Sequence, residues 1–338
     1  MKSFSCLCLF LLLAVAIAPY PYAASVEEET TAAEQGDSAS QYRLAQRYEA
    51  GKGVERDLAM AAEWYRKAAE QGHAKAQTNL GNFYRSGRGI DKDLGEALNW
   101  YRKAANQGDT KAQINIAMMY VSGMGVEKDE AEGLKWIRSA ADQGDTQAMV
   151  HLGNMYRMGK GVGKDYGKSV GWFRKAANKN DPIAQHELGI SYFSGKGVKQ
   201  DYVQSVRWHR KAAGEGYPPA QYSMGLRYAK GKGVNQDYSQ AAEWYRKAAK
   251  QGHPSAQNNL ALMYRKGQGI SQDYGEALKW FRKGAESGHP QAQYNLGNMY
   301  LKGQGVKSDP EEARKWFRKS AKAGYKGAKK ALNRMQGS

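Results

Sequence analysis

Cysteine is almost absent from this sequence. Its only two cysteines, Cys6 and Cys8, lie within the first eight of 338 residues. The remaining chain therefore has no thiol for a disulfide framework, a thiolate zinc site or a cysteine nucleophile. These three kinds of chemistry are excluded at the outset.

Long apolar runs are equally scarce, and the one that exists stands at the start. Residues 7–18 are apolar, Lys2 precedes them, and Ala23 and Ala24 follow. The run is too short to span a bilayer, and this order is typical of a secretory signal peptide. We expect residues 1–24 to be a signal peptide cleaved between 18 and 24, and the mature protein to be periplasmic or secreted without a membrane span. The alternative is an uncleaved N-terminal anchor.

Acidic residues are under-represented, with 33 Asp and Glu against 51 Lys and Arg and a net charge of +18. A basic surface favours anionic partners. We expect a protein partner with an acidic surface, or else an anionic envelope polymer. Export makes nucleic acid the least suitable partner, and none is predicted.

The sequence is an uninterrupted repeat. All eight tryptophans stand 36 residues apart, and a Gly-x-Gly pair recurs at the same interval. In the second repeat, Ala76, Leu80 and Tyr84 form an apolar helical stripe, which predicts a helix A over residues 75–86. A helix B is predicted from Asp93 to Gly108, because glycine just beyond a helix takes the left-handed conformation.

An aspartate begins helix B in every repeat, and in six repeats Glu or Gln stands three residues later. This spacing predicts an N-cap completed as a capping box. The alternative, a column of metal ligands or catalytic acids, is not needed to account for these aspartates. Helix B is followed by glycine in seven repeats and by Asn180 in the fourth, and asparagine also tolerates the left-handed conformation.

These patterns predict an all-α solenoid of eight helix-turn-helix repeats. We assign residues 25–36 to an N-terminal capping half-repeat, 37–324 to the repeats and 325–338 to a C-terminal capping helix. Terminal elements with a polar outer face are what a solenoid requires. The mature chain is expected to be a monomer.

The repeat resembles the Sel1-like repeat family, which is related to the tetratricopeptide repeat. The seventh repeat shows the matching residues Ala256-Gln257, Leu260-Ala261, Tyr264, Gly267-Gln268-Gly269, Asp273-Tyr274, Ala277, Trp280-Phe281-Arg282-Lys283 and Ser287-Gly288. The resemblance covers residues 39–328. It implies a right-handed superhelix with helices A on the concave side, used as a scaffold for proteins. Exported bacterial members are linked to envelope signalling, host contact or virulence. A cysteine-rich branch is linked to β-lactam binding or hydrolysis, but this chain lacks its paired cysteines.

Function is expected in the columns that vary between repeats. Three such columns lie at i, i+4 and i+7 of helix A and therefore share one face. By the resemblance they line the concave groove, and aromatic, apolar and arginine side chains suit an interface centre. The candidate partner-binding residues are Ile114, Met118, Val121, Arg157, His186, Ile190, Phe193, Tyr222, Leu226, Arg265 and Tyr294. The alternative is that these side chains only pack between helices.

Other motifs point away from catalysis. An Arg-Lys pair follows the tryptophan in seven repeats and is expected on a solvated face, with docking to anionic polymers as the alternative. Gly51-Lys52-Gly53 lacks the third glycine of a dinucleotide loop and follows a helix. The six histidines form no metal-ligand pair. We predict no catalytic residue, cofactor or metal, and a non-catalytic scaffold, with a β-lactam enzyme or a glycan binder as alternatives.

Overall fold

The computed structural model describes residues 25–336, which form eighteen helices and contain no strand. The predicted signal peptide lies outside the described residues. The described residues divide into two compact units, one up to residue 112 and one from residue 113, and the boundary falls within a helix. Each unit is a stack of antiparallel helix pairs, so the predicted all-α solenoid is confirmed.

The first unit contains five complete helices and the beginning of a sixth. Their bounds are α1 Val26–Glu34, α2 Ser38–Ala50, α3 Leu58–Glu70, α4 Ala74–Ser86, α5 Leu94–Asn106 and α6 Thr110–Ser122. In the second repeat, the helices α4 and α5 therefore lie close to the predicted positions. Helix α1 occupies the segment that was assigned to the N-terminal cap.

The second unit contains the rest of α6 and twelve further helices. Their bounds are α7 Glu130–Asp142, α8 Thr146–Met158, α9 Tyr166–Asn178, α10 Pro182–Ser194, α11 Tyr202–Gly214, α12 Pro218–Lys230, α13 Tyr238–Lys250, α14 Pro254–Lys266, α15 Tyr274–Glu286, α16 Pro290–Lys302, α17 Pro310–Lys322 and α18 Lys326–Gln336.

The aspartate column caps helix B in all eight repeats. In the second repeat, Asp93 Oδ1 accepts a 2.9 Å hydrogen bond from the backbone N–H of Glu96. The capping-box half of the prediction is wrong, because the N–H of Asp93 donates to the carbonyl of Tyr84 at 2.9 Å. The same tyrosine column accepts this bond in every repeat, so Glu or Gln is not needed there.

The turn after helix B takes the predicted left-handed conformation. Asn180 has φ of 63° and is the only non-glycine residue with positive φ among residues 25–336. In the Gly-x-Gly turn the second glycine also allows close approach: a Cβ at Gly161 would lie 2.1 Å from the carbonyl oxygen of Glu130. The Gly-x-Gly motif therefore serves turning and stacking.

Buried glutamines on helix A connect successive helices. In the first unit, Gln77 Nε2 donates to the carbonyl of Ala69 at 3.0 Å, and its Oε1 accepts from Gln107 Nε2 at 2.8 Å. Where the donor glutamine is replaced, the acceptor loses its partner. In three repeats the donor glutamine is replaced, by Glu215, Ser287 and Ala323. The acceptor glutamines of these repeats have an Oε1 that is buried without a hydrogen bond; they are Gln185, Gln257 and Gln293.

Candidate protein-binding surface

The first variable column of helix A lies mostly in the interior. Ile114 and His186 are buried, with 6% and 9% of their surface exposed. Tyr222 stacks on His253 with ring centroids 4.7 Å apart, and Tyr294 packs 5.6 Å from Phe317. The structure thus places these four predicted residues in the packing between helices.

The second column reaches solvent in the middle repeats. Met118 is 45% exposed and Ile190 is 37% exposed, whereas Leu226 is half-buried against the apolar cluster of the following repeats. Met118 and Ile190 are therefore the predicted residues that are most available to another molecule.

The third column is half-buried and held by specific contacts. Arg157 donates to Glu187 Oε2 at 2.7 Å and to Asn154 Oδ1 at 2.6 Å. Val121 packs beside the buried cluster of its unit. Burial lowers the pKa of the Arg265 guanidinium, which lies 5.6 Å from the ring centroid of Phe281.

Phe193, the remaining member of that column, is sandwiched. Its ring centroid lies 5.1 Å from that of Tyr202, and the guanidinium carbon of Arg227 lies 3.5 Å from it. Arg227 is only 8% exposed, and burial lowers its pKa. The cation–π contact partly replaces the water that the guanidinium loses.

Two cavities of the second unit include predicted residues. The first, of about 90 Å³, brings Met118 and Val121 together and is otherwise lined by Ala117, Ile137, His151, Asn154, Met155, Met158 and Lys160. The second, of about 180 Å³, brings Arg157 and Ile190 together and is otherwise lined by Tyr166, Ser169, Val170, Ser191, Ser194 and Lys196. Four of the predicted residues are thus divided between two cavities.

Sequence reasoning missed a buried polar cluster in repeats five and six. His186 and His209 lie with ring centroids 5.1 Å apart, and burial lowers their pKa values to about 4 and about 3. His186 Nδ1, His209 Nε2 and Arg227 Nε are buried without a hydrogen bond. His209 replaces the large apolar or aromatic residue that follows tryptophan in the other repeats, and that departure was the available signal.

The first unit has its own buried charge, which the sequence analysis also missed. Glu29 of α1 is 4% exposed. It accepts from Arg43 Nε at 2.6 Å and also from Arg47 Nε. The glutamate stands 36 residues before Tyr65, in an aromatic core column. Paired arginines offset the cost of burying its charge.

The Arg-Lys row is part of the fold as well as of the surface. In every repeat that has the pair, the lysine ammonium lies 3.8 to 4.9 Å from the ring centroid of the preceding tryptophan. In five of these repeats the arginine donates to a tyrosine hydroxyl of the next helix A, as Arg282 does to Tyr300 at 2.8 Å. Both side chains are thus used in stacking, which a purely solvated row does not require.

Many titratable side chains serve as helix caps. The aspartates of helix B accept backbone N–H bonds, and His73, His253 and His289 cap helix A through Nδ1 at 3.2 Å. Across residues 25–336 no group of three or more His, Cys, Asp or Glu is placed to hold a metal ion. No helix of this part of the chain is long and apolar enough to cross a membrane.

The Sel1 repeat model matches the chain eight times, over residues 38–73, 74–109, 110–145, 146–181, 182–217, 218–253, 254–289 and 290–325. These boundaries are shifted by one residue from the predicted 37–324. Curated proteins give no match.

Two solved structures are similar over most of the chain. One is a protective antigen of uropathogenic Escherichia coli that displays the same repeat fold, with 37% identity, a TM-score of 0.74 and coverage of 92% of this chain and 67% of the antigen. The other is a Sel1 repeat protein from Oxalobacter formigenes, with 33% identity, a TM-score of 0.73 and coverage of 91% and 90%.

Proposed function

This chain belongs to the Sel1 repeat family, whose members generally mediate protein–protein interactions, and we propose that it is a non-catalytic scaffold for one protein partner. The partner is bound through the exposed part of the helix-A face in repeats three to five. We define this surface, the helix-A patch, by Met118, Met158 and Ile190.

One observation supports this assignment above the others. Met118, Met158 and Ile190 lie on helices A of successive repeats, and each is between 37% and 53% exposed. Met118 and Met158 also line the same cavity, and apolar side chains exposed together mark interaction sites. Methionine adapts to irregular surfaces and is favoured where binding needs plasticity.

The charge beside the helix-A patch favours an acidic partner. Lys160 and Arg157 line the same cavities as Met158 and Ile190, and Lys196 lies at the second cavity. Cations around an apolar centre raise the association rate and select anionic surfaces.

We further propose that the protein acts in the periplasm or outside the cell, in envelope signalling or host contact. This proposal is supported by the order of a basic residue, an apolar run and small residues within 1–24.

Affinity capture tests the proposal. The mature chain is immobilised and exposed to envelope and host extracts, alongside the triple variant Met118→Ser, Met158→Ser, Ile190→Ser. We expect the wild type to retain a specific protein that the variant loses, with unchanged helical circular dichroism. The matched control is Val203→Ser on α11, because Val203 is 66% exposed but lies on helix B. Equal capture by the triple variant would contradict the assignment.

A further inference from the structure

Ser191 stands where most repeats place a large side chain. Its helix-A column contains Phe or Met in five other repeats: Phe83, Met119, Met155, Met263 and Met299. The remaining two repeats have arginine, Arg47 and Arg227. Ser191 itself is 9% exposed, so the missing volume lies inside the fold rather than in solvent.

The missing volume is present as the cavity of about 180 Å³ between α9 and α10. The apolar part of its wall comes from Tyr166, Val170 and Ile190. Apolar cavities of about 150 Å³ admit a benzene ring. The space beside Ser191 is therefore large enough for one aromatic or branched aliphatic group.

Two of the three serine hydroxyls that line the cavity have a limited capacity to bind an anion. Ser191 Oγ donates to the carbonyl of Glu187 at 2.9 Å, and Ser194 Oγ donates to the carbonyl of Ser191 at 3.4 Å. Their hydrogens are thus engaged by their own helix. Any charge that a ligand presents here must be matched by the cationic side chains.

Two cationic side chains, those of Arg157 and Lys196, line the cavity. Arg157 is fixed by Glu187 and Asn154, and Glu187 offsets one positive charge. Lys196 also lines the cavity, and the ammonium groups of Lys196 and Lys164 lie 5.6 and 5.0 Å from the ring centroid of Tyr166. The positive charge exceeds that of the single carboxylate, which favours an anion over a cation.

We propose that this cavity is a binding site for an apolar carboxylate, a group whose carboxylate lies beside a short aromatic or aliphatic body. The body fills the space that Ser191 leaves, and the carboxylate faces Arg157 and Lys196. The inference deepens the proposed function, since Arg157 and Ile190 belong to the same helix-A face. Its test nevertheless needs no protein partner, so the two can fail separately.

Phenylacetate is the probe. It is titrated into the mature chain labelled at isoleucine and valine methyl groups, and the Ile190 and Val170 signals are followed by NMR. We expect saturable shifts with a Kd on the order of 1 mM, the range for a ligand of this size. Phenylacetamide should bind at least severalfold more weakly, and benzylamine should not bind. Absence of saturable shifts, or equal binding of the amide, would overturn the proposal.

Two variants locate the site. Ser191→Met introduces the commonest residue of this column, which four of the eight repeats have. It should fill the cavity and abolish the shifts, whereas Ser191→Ala should retain them. Lys196→Gln at the cavity's exposed edge should weaken binding roughly three- to tenfold, the loss of one charged contact. It gives an independent answer should Ser191→Met unfold the repeat. Unchanged binding in both Ser191→Met and Lys196→Gln places the ligand elsewhere and overturns the proposal.

A competition experiment separates the two sources of such a ligand. Acetyl-Gly-Gly-Phe with a free carboxylate and its C-terminal amide are added to the phenylacetate complex. Displacement by the acid form alone supports the chain end of a protein. Phenylacetate binding without displacement supports a free small acid.

Discussion

Repeats five and seven occupy the same compact unit and have the same backbone plan, yet they are filled differently. Repeat seven places Met263 and Phe281 in the core, with 5% and 0% of their surface exposed. Repeat five has Ser191 and His209 in the same two columns. Both repeats begin helix B with an aspartate cap and turn through Gly-x-Gly, so the two columns differ on the same backbone plan.

The substitutions in repeat five leave local defects. His209 Nε2 is buried without a hydrogen bond, and the cavity beside Ser191 stays open. A buried polar atom without a partner costs about 1–3 kcal/mol. The comparison shows that the columns shared by all repeats define the fold. The core side chains of a single repeat can depart from those that give the highest stability, and such a departure indicates where a functional site can lie.

Exchanging the residues of the aromatic column between the two repeats should change the free energy of unfolding the most. We expect Phe281→His to destabilise the protein by about 2–4 kcal/mol, because it removes a fully buried ring and introduces polar atoms without partners. His209→Phe should stabilise it by about 1–3 kcal/mol. Urea unfolding followed by circular dichroism measures both.

The control is Ser271, which is exposed and lies outside the helices. Ser271→Ala should change the free energy of unfolding by less than about 0.5 kcal/mol. A loss of stability in His209→Phe would show that the histidine pair is optimised for the fold.

The same pair predicts an acid response. Burial lowers the pKa of His209 from 6.5 to about 3 and that of His186 to about 4. Between pH 6.5 and those values the unfolded chain binds more protons than the folded one, so stability falls as pH falls through this window. His209→Phe should show a shallower decline between pH 6.5 and 4 in urea unfolding. An identical slope in wild type and variant would contradict the assigned burial effect.

The regular part of the fold could be predicted from the sequence because it depends on local chemistry. Asp93 begins a helix through its own side chain, and Asn180 ends one through a left-handed backbone. The capping box failed at Asp93, since its N–H is already bound to the carbonyl of Tyr84. This hydrogen bond joins the two helices of one repeat, and the spacing between the aspartate and the Glu or Gln that follows it does not predict such a bond.

The candidate surface was less predictable for a similar reason. Helical spacing shows that Ile114, Met118 and Ile190 share a face, but not how deeply each side chain lies. The structure buries Ile114 and exposes the other two. The size of the cavity beside Ser191 depends on how much space the side chains of neighbouring helices fill. That space is known only once those side chains are placed in three dimensions.

The smallest expected change in stability concerns the buried glutamines, at which repeats five and seven are alike. Gln185 in repeat five and Gln257 in repeat seven both have a buried Oε1 without a partner. Glu215→Gln and Ser287→Gln should each supply the donor that Gln251 supplies to Gln221 at 2.8 Å. We expect a gain of about 0.5–1.5 kcal/mol for each, measured by thermal unfolding. No gain in either variant would show that water already satisfies these oxygens.

Site-specific photo-crosslinking tests the central claim most directly, namely that the helix-A patch is the binding surface. A benzophenone amino acid is placed at position 190 on α10 or at position 203 on α11, both of which are exposed. The mature protein is then irradiated in envelope or host extract. We predict a discrete protein adduct at position 190 and none at position 203. An adduct formed at position 203 alone would contradict the account.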